Sequence, residues 1–337
     1  MKTDNATTKD NTKNFSEVVG ALRDLEKAAV TTHVGADGDA IGSSAAMLRL
    51  LEKLGIEAVF CHSEAVPNYL RWLIPEAVAE IPSGFELVAL DTSRADRTGV
   101  AIPESGAAIN IDHHADNPGY ARTNYVDGGA AATAEIVARL YAELGVELDK
   151  EAAEAVYTGI NTDTGGFRFR NISPETHELA ADLLRAGVVP AEVDDRINRT
   201  GTLEQLRVVG TTLANAERYG EVLIATVDNK DYEKTGGSEL DSKEAIDALR
   251  TVSGVDVVAH LRQVPKGTKG SLRSEMFDVQ EVAQGFGGGG HRLAAGFTRE
   301  GLTPEEAKQE LLEALRGRVD LGDLSGGASG GSEKNGK

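Results

Sequence analysis

The chain has 337 residues, of which 40% are hydrophobic, so it is long enough for two domains with buried cores and too apolar for wholesale disorder. Its formal net charge is −19, because 54 acidic residues outnumber 35 basic ones. A surface this acidic repels long nucleic acid, whose binding rests on neutralisation of phosphates by lysine and arginine. No apolar run reaches the ~18–20 residues of a membrane span. We therefore expect neither a membrane protein nor a binder of long nucleic acid.

The acidic balance, in which arginine is more frequent than lysine, has two interpretations. It keeps the protein soluble, or it adapts the surface to a salt-rich cytoplasm and indicates a halophile. In molar salt the screening length is only ~3 Å, so recognition of an anion would depend on metal ions and arginine forks in direct contact. The single cysteine, Cys61, cannot form an internal disulfide, and the polar N-terminus lacks the apolar core of a signal peptide. We predict a cytoplasmic protein.

In the first half of the chain, strand-like apolar runs alternate with helical patterns, which predicts an α/β fold around a mostly parallel sheet with flanking helices. The predicted strands are AAVTTHV, IEAVFCHS, FELVALDTS and GAAINIDHH, and the predicted helices include AIGSSAAMLRLLEKLG and AATAEIVARLYAELG. Polar clusters follow the strands, and AVYTGINTDTGGF leads into a further cluster. Because ligands gather at the carboxyl ends of strands in open α/β sheets, we expect these clusters to converge.

The second half begins with helical patterns, in which Ser173 is a predicted N-cap and Pro174 the first helical residue. New strands begin at EVLIATVD, VDVVAHLRQ and GTKGSLRS suggest a hairpin, and TPEEAKQELLEALRG is a final helix. We predict a disordered leader at 1–13, an N-terminal domain at 14–198, a connecting helix at 199–218, a smaller C-terminal α/β domain at 219–318 and a disordered Gly/Ser tail at 319–337.

Carboxylates and histidines occupy all four polar clusters of the first domain. They are His33, Asp37 and Asp39 in the first, Asp91 in the second, Asp112, His113 and His114 in the third, and Asp163 in the fourth. A single aspartate after a strand is commonly a helix N-cap, but four such clusters together favour a metal site. Mixed imidazole and carboxylate ligands suit Mn²⁺, with Mg²⁺, Co²⁺ or Fe²⁺ as substitutes, and the lack of cysteine ligands argues against structural zinc. Gly38 and Gly42 are predicted to let the backbone bend tightly around the first cluster.

The second domain contains arginine, serine and glycine residues that are suited to bind an anion. Arg273 and Ser274 at a strand end supply a guanidinium fork and a hydroxyl. Gly288 and Gly289, in the run GGGG before His291, permit close approach of the backbone to a phosphate. We therefore predict that Arg273, Ser274, Gly288 and Gly289 bind a phosphate.

The motifs HVGADGD, the strand end at Asp91, IDHH and GINTDTGGF resemble the four motifs of the DHH phosphoesterase superfamily. LRSEMFDVQEVAQGFGGGGHRLAAGF resembles its C-terminal DHHA1 domain, and the motifs follow family order from about residue 14 to 318. Within the superfamily, the chain is most similar to the branch of nanoRNases (oligoribonucleases), pAp phosphatases and cyclic-di-AMP-pathway phosphodiesterases.

This resemblance implies a manganese-dependent two-metal enzyme that hydrolyses short oligoribonucleotides, 3′,5′-bisphosphonucleotides (pAp to AMP) or both, through a metal-bridging hydroxide. One metal would be held by His33, Asp37 and Asp91. The second would be held by Asp39, Asp91, His113 and Asp163, with Asp91 bridging. Asp112 would orient a ligand histidine, and His114 would face the substrate. In the second domain, the far phosphate or sugar of the substrate would be bound by Arg273, Ser274, Gly288, Gly289 and His291.

Several alternatives stay open at this point. The same residues would serve cleavage of cyclic-di-AMP or of linear dinucleotides, and a RecJ-like DNA exonuclease and a non-catalytic nucleotide sensor are further alternatives. Arg94 and Arg97 either meet substrate phosphate or form surface ion pairs. His62 and His177 are interpreted as surface or capping residues. A homodimer is the default expectation for the oligomeric state.

Overall fold

The computed structural model describes residues 15–322, so the predicted leader at 1–13 and most of the predicted tail lie outside the described residues. The chain forms two compact units that divide between Thr200 and Gly201. No helix between residues 15 and 322 combines the length and the apolar character needed to cross a membrane.

The first unit is built on a five-stranded sheet with the order β2-β1-β3-β4-β5, in which all neighbours are parallel. Its strands are β1 (Lys27–Thr31), β2 (Glu57–Phe60), β3 (Glu86–Leu90), β4 (Ile109–Asp112) and β5 (Thr123–Val126). Its helices are α1 (Phe15–Arg23), α2 (Gly38–Lys53), α3 (Thr133–Leu144), α4 (Lys150–Asp163), α5 (Pro174–Arg185) and α6 (Pro190–Asn198). The predicted α/β fold with a parallel sheet is confirmed.

The central strands β1 and β3 are mostly apolar, β4 alternates isoleucine with Asn110 and Asp112, and nearly every residue in the three strands is buried. Such burial is typical of parallel strands that are covered on both faces. The strand order changes direction between β1 and β3, so the carboxyl ends of these two strands flank the crevice where ligands bind in open α/β sheets. This crevice is where the chain places its polar clusters.

Helix α2 packs against helix α4, and two glycines of α2 mark the closest approach. A Cβ atom at Gly38 would lie 2.3 Å from the Thr162 side chain, and one at Gly42 would lie 2.6 Å from the carbonyl oxygen of Ala155. The prediction that these glycines bend the backbone around the first cluster is wrong, because both are helical residues of α2. They instead let α4, which ends at Asp163, lie close to α2.

The second unit contains a six-stranded sheet with the order β10-β11-β9-β8-β7-β6, in which β7 and β8 pair in parallel and the other neighbours are antiparallel. Its strands are β6 (Glu217–Tyr219), β7 (Val222–Val227), β8 (Val257–Val264), β9 (Gly267–Ser274), β10 (Gly289–His291) and β11 (Ala294–Glu300). Its helices are α7 (Leu203–Ala214), α8 (Asn229–Thr235), α9 (Ala245–Leu249), α10 (Val279–Gly285) and α11 (Pro304–Leu315). The predicted hairpin is β8 and β9.

Helices cover the two faces of this sheet unequally. Helices α10 and α11 pack with β7, β8, β9 and β11 in one core. On the opposite face, α7 and α9 pack against β7 and β8 only, in a smaller core. This arrangement leaves β9, β11 and β10 outside the smaller core.

The boundaries of the second unit differ from the predicted ones. The predicted connecting helix at 199–218 is α7, which ends at Ala214 and groups with the second unit, and β6 begins at Glu217. Leu321 is buried in the larger core, so packing continues beyond the predicted end at 318. The reason is that the chain returns to the sheet after α11, where the amide of Glu221 donates to the carbonyl of Asp320 at 2.9 Å.

Replacing Gly42 by alanine should destabilise the first unit, because the added methyl group would overlap the backbone of α4. Overpacking of this kind costs about 1–3 kcal/mol, which a urea titration would detect as a lower unfolding midpoint. Gly20→Ala is the matched control, because a Cβ at this helical glycine meets no atom of residues 15–322 within 4 Å. Equal midpoints for Gly42→Ala and wild type would contradict the close approach of α2 and α4.

Candidate metal centre

The predicted metal ligands come from four places that meet at the carboxyl edge of the first sheet. His33 follows β1, Asp37 is the N-cap of α2 and Asp39 lies in the first turn of α2. Asp91 directly follows β3, and Asp112, His113 and His114 occupy the end of β4 and the residues after it. Asp163 was predicted at a strand end, but it is the last residue of helix α4. Close helix packing therefore brings this carboxylate to the site.

Asp91 lies at the centre of the group, and its two carboxylate oxygens face different histidines. Its Oδ2 is 3.5 Å from Nε2 of His33, and its Oδ1 is 3.5 Å from Nε2 of His113. The backbone of Asp91 has a φ of 50°, which is uncommon for a residue other than glycine and is typical of functional sites. An aspartate whose oxygens diverge in this way can serve two ions at once.

The remaining ligand atoms form one group on each side of Asp91. His33, Asp37 and Asp91 offer atoms that all lie within 4.8 Å of one another, and so do Asp39, His113 and Asp163. In the second group, Nε2 of His113 is 3.1 Å from Oδ2 of Asp163. Asp91 also groups with His113 and His114 in the same way. The assignment of these ligands to two metals, with Asp91 in both sets, stays a prediction.

Hydrogen bonds orient both histidines with Nε2 toward the carboxylates. Nδ1 of His33 is 3.0 Å from the carbonyl oxygen of Val34, and Nδ1 of His113 is 3.4 Å from that of Ala130. A carbonyl oxygen only accepts, so Nδ1 carries the proton in each ring. The Nε2 lone pair is then available to a metal, as is usual for ligand histidines.

The pKa values show how strongly the carboxylates act on the imidazoles. Burial by itself lowers the pKa of His33, but hydrogen bonds to Asp37 and Asp91 outweigh burial and raise this pKa to about 10. The pKa of His113 is likewise raised to about 10, against the effect of burial, by Asp163 and the other carboxylates. Burial and the neighbouring charges of Asp91 and Asp163 raise the pKa of Asp39 well above its usual range. Without an ion, protons would hold this cluster together, and binding of a metal would displace them.

Asp39 is fully buried, and the start of helix α3 holds both of its oxygens. The amide of Thr133 donates to Oδ2 at 2.6 Å, and the amide of Ala134 donates to Oδ1 at 2.9 Å. The Thr133 hydroxyl also donates to Oδ1 of Asp91 at 3.0 Å. Amides at a helix N-terminus favour an anion. Thr133 therefore orients two ligands, a function that the sequence analysis missed.

Asp112 was predicted to orient a ligand histidine, but its partner is His114. Its Oδ1 accepts from Nδ1 of His114 at 2.7 Å, and its Oδ2 accepts from the side-chain amide of Asn117 at 2.7 Å. The bond to Asp112 raises the pKa of His114, whose side chain is 45% exposed. Asn117 is a second residue that the sequence analysis did not identify.

His62 was interpreted as a surface or capping residue, and this was wrong because it is 4% exposed. Its Nε2 is 3.0 Å from the carbonyl oxygen of His33, and its ring lies against Gly99, where a Cβ would come within 2.0 Å. His62 thus stabilises the loop of the first cluster through its contact with the backbone of His33. His177 is exposed, in agreement with the interpretation, and stacks on Phe167.

A cavity of about 180 Å³ opens beside these groups. Its lining is formed by His33, Asp37, Asp91, Ser93, Arg97, His114 and Asp163. The cavity therefore combines carboxylates, imidazoles, a hydroxyl and a guanidinium, which is a chemical environment for a small anion next to metal ions. Ser93 was not singled out from the sequence.

The donor set fits divalent cations. Among residues 15–322, neither lysine nor arginine forms an ion pair with Asp39, Asp91 or Asp163, although two of these carboxylates are almost completely buried. Buried carboxylates this close together need a positive partner. Oxygen and imidazole donors in this mixture suit Mn²⁺, Fe²⁺, Co²⁺ or Mg²⁺, and no cysteine lies among them.

In the second unit, Arg273 and His291 lie on the same face of the sheet. Ala294 of β11 pairs with Arg273 on one side and with His291 on the other, so the three residues form a row across the strands. The hydrogen bond that the Arg273 guanidinium forms within the described part of the chain goes to the carbonyl of Leu272, its chain neighbour. A half-buried guanidinium with a single backbone partner is suited to bind an anion.

Ser274 does not share the surface of Arg273, because successive residues of a strand point to opposite faces. Its hydroxyl donates to Oδ1 of Asp256 at 3.0 Å and accepts from the amide of Phe277 at 2.8 Å, so it stabilises the turn after β9. Ser271, two residues before Arg273, lies on the face of Arg273 instead.

The glycine run has specific structural requirements. A Cβ at Gly288 would lie 2.2 Å from the carbonyl oxygen of Gly296, so only glycine fits between the strands there. Gly290 has a φ of 138°, which other residues rarely adopt. At Gly289 no atom of the described residues lies within 4 Å of a Cβ position, so the space beside its Cα atom is open. The predicted substrate-binding glycines therefore differ, and Gly289 is the one with room for a ligand.

Two protein families match this chain, one in each of its two units. Residues 27–160 match the N-terminal domain of the DHH family, and residues 220–320 match the DHHA1 domain. The first match contains the predicted ligands from His33 to His113, and the second contains Arg273 and His291.

Several known proteins are similar to this chain over most of their length. The bifunctional oligoribonuclease and PAP phosphatase NrnA of Thermus thermophilus is 41% identical over 294 residues, which cover 85% of this chain and 88% of the relative. The protein of that name from Bacillus subtilis is 25% identical over 83% of this chain and 92% of the relative. An exopolyphosphatase-related protein from Bacteroides fragilis superposes with a TM-score of 0.80 at 24% identity, over 89% of this chain and 96% of that one. This last likeness concerns the fold.

Replacing Thr133 by valine removes the hydroxyl that donates to Asp91 and preserves the shape of the side chain. Loss of a partner that orients a ligand typically reduces metal affinity roughly 10–100-fold. We therefore expect the Mn²⁺ affinity of Thr133→Val, measured by isothermal titration calorimetry, to fall about tenfold. Thr133→Ser retains the hydroxyl and should bind Mn²⁺ as wild type does. Unchanged affinity in the valine variant would show that the hydroxyl does not orient Asp91.

Proposed function

Since this chain belongs to the DHH family, carries a DHHA1 domain and is a phosphoesterase of that kind, we propose that it hydrolyses short oligoribonucleotides and converts pAp to AMP. The observation that carries the proposal is the position of Asp91 between two groups of ligands. The names of the relatives from Thermus thermophilus and Bacillus subtilis, oligoribonuclease and PAP phosphatase, support these two substrate classes.

We assign one ion to His33, Asp37 and Asp91 and a second ion to Asp39, Asp91, His113 and Asp163. Divalent cations at such a site supply a nucleophilic water near neutral pH and positive charge opposite the phosphate oxygens. The protein positions these groups in advance: α3 fixes Asp39, and Thr133 fixes Asp91.

His114 is the proton donor in this proposal. Nδ1 of its ring is held by Asp112, which leaves Nε2 as the nitrogen available to substrate. Because Asp112 raises the pKa of His114, the protonated ring persists to higher pH than for an ordinary histidine. A protonated ring can stabilise charge on the phosphate and donate its proton to the leaving oxygen.

The second unit contributes Arg273, His291 and the open backbone at Gly289 as a surface for a phosphate or sugar of the nucleotide. Arg273 and His291 share a row on one sheet face, and Ser271 lies on the same face. Ser274 is left out of this surface because its hydroxyl serves the turn after β9. A surface with so few binding groups suits one or two nucleotides, which agrees with short substrates.

Manganese is the cation that we propose, because the donor set consists mostly of carboxylate oxygens, which suit Mn²⁺, and contains no thiolate. The net charge of −19 supports operation in a salt-rich cytoplasm, where contact-distance recognition by ions and arginine is effective. Cys61 is a buried free thiol, which agrees with a reducing compartment. We also propose a homodimer as the state to be tested in solution.

A substrate panel tests the proposal directly. Purified protein in Mn²⁺ and high potassium chloride would be given pAp, pApA, pGpG, cyclic-di-AMP and RNAs of increasing length. We expect turnover of pAp and of the shortest RNAs, with rates that fall as the RNA lengthens.

Asp91→Asn should lower kcat/KM at least about a thousandfold on every substrate, equivalent to about 4 kcal/mol. Arg273→Ala should raise KM for nucleotides and spare small artificial phosphodiesters.

The other outcomes would exclude the proposed substrates, the two-metal arrangement or the substrate surface of the second unit. Selective turnover of cyclic-di-AMP or of linear dinucleotides would overturn the proposed substrates in favour of a second-messenger phosphodiesterase. Silence on every substrate would favour a nucleotide sensor. Near-full activity of Asp91→Asn would refute the two-metal arrangement, and equal losses of Arg273→Ala on nucleotides and artificial diesters would refute the substrate surface of the second unit.

A further inference from the structure

Two arginines lie on the turn that follows Asp91, and their surroundings differ. Arg94 donates from Nε to Oδ1 of Asp96 at 2.9 Å and from Nη2 to Oδ2 at 3.1 Å, so it forms an exposed bidentate ion pair. Arg97 forms neither an ion pair nor a side-chain hydrogen bond with any other residue of the described chain, and it lines the cavity beside the metal ligands. Of the two alternatives raised by the sequence, surface pairing therefore fits Arg94, and contact with a phosphate fits Arg97.

The backbone fixes Arg97 at the edge of this cavity. Its carbonyl accepts from the amide of Val34 at 2.8 Å, and its amide donates to the carbonyl of Arg94 at 3.0 Å. The next residue, Thr98, forms a β-bridge with His33. The turn that carries Arg97 is thus tied to the loop of the first metal cluster, so Arg97 does not sit on a free loop.

Charge determines what Arg97 can do there. Among residues 15–322 it is the only lysine or arginine that lines the cavity, and its neighbours include Asp37, Asp91 and Asp163. A guanidinium has no lone pair for a metal and stays protonated, so it is not a ligand. Next to bound cations it would be repelled unless an anion lay between them. Ser93, whose hydroxyl forms no hydrogen bond with the described residues, lines the same cavity and adds a second donor.

The two substrate classes of the proposed function differ in the number of free oxygens on phosphorus. When water adds in line and the P–O bond to the leaving ribose oxygen breaks, three oxygens occupy the equatorial positions. In a terminal monoester such as the 3′-phosphate of pAp, all three are unsubstituted, and the group carries nearly two negative charges at neutral pH. In a diester one of them is esterified to the neighbouring nucleoside, and the charge is one. The leaving oxygen takes up a proton in both reactions.

We propose that Arg97 and Ser93 form a subsite for the third unsubstituted oxygen of a terminal phosphate monoester, and so raise phosphatase activity relative to diester cleavage. The inference rests on the proposed function, since it assigns these residues to one of its two reactions. The guanidinium donates to that oxygen and compensates its extra charge, while cations held by the metal ligands would compensate the charge of the other two oxygens. In a diester the ester substituent occupies this position, so Arg97 contributes less.

The test compares Arg97→Ala with Arg94→Ala, a matched change three residues away on the same turn. Metal-loaded protein would be assayed with pAp and with pApA, and kcat/KM obtained for each. We expect Arg97→Ala to lose about 30-fold on pAp and at most about threefold on pApA, since a charge-assisted contact is lost only with the monoester. Arg94→Ala should leave both values unchanged. Arg97→Lys, which keeps the charge but not the fork, should restore part of the pAp activity.

Inorganic phosphate provides a readout that does not require turnover. It is a dianion at slightly alkaline pH, and its binding to metal-loaded protein, followed by calorimetry, should weaken about tenfold in Arg97→Ala. Equal losses on pAp and pApA, or unchanged phosphate binding, would overturn the subsite. If wild type cleaved pAp and pApA but Arg97→Ala kept their ratio, only this inference would fail. If wild type cleaved neither, the proposed function would fail, and the subsite with it.

Discussion

The candidate metal centre depends on the repulsion among aspartate carboxylates crowded at one edge of a parallel sheet. Asp39 and Asp91 are buried beside Asp163, and no lysine or arginine in the described chain pairs with any of them. Charge of one sign cannot be concentrated in a low-dielectric environment without a counter-charge. Protonated His33 and His113 provide part of it, and divalent cations would provide it more completely. The cluster is therefore stabilised by what it binds, and metal binding and local stability are linked.

The rest of the first unit serves to hold these groups in place. The strand order opens a crevice between β1 and β3, where His33 and Asp91 follow their strands. Glycines in α2 allow α4 to pack closely against it, and this packing places Asp163 at the site. Two amides in the first turn of α3 donate hydrogen bonds to Asp39. These supports come from elements far apart in the chain, so the site forms only when the unit has folded.

The parts of the fold and of the site that could be predicted from the sequence are those encoded by local patterns. Apolar runs followed by polar clusters identified the parallel sheet and placed His33, Asp91 and His113 at one edge. The DHH and DHHA1 motifs identified the family, which the matches at 27–160 and 220–320 confirm. Asp163 was found as a candidate, although its element was misassigned because a short apolar run ending in a polar cluster fits a strand or a helix.

What could not be predicted depends on tertiary contacts. Thr133 is 42 residues from Asp91 along the chain, and no local pattern marks their hydrogen bond. His62 lies behind the loop of His33, a contact that only the folded sheet creates. The separation of Ser274 from Arg273 is different, because alternation along a strand already implies opposite faces. Strand parity would have directed attention to Ser271.

The central claim is that Asp91 lies between two bound cations, and anomalous diffraction from crystals grown with Mn²⁺ tests it most directly. Data collected at the manganese absorption edge locate the ions independently of any activity. The account predicts two anomalous peaks, one on each side of the Asp91 carboxylate, the first also next to His33 and the second also next to His113. A single peak, or two peaks of which either does not contact Asp91, would contradict it.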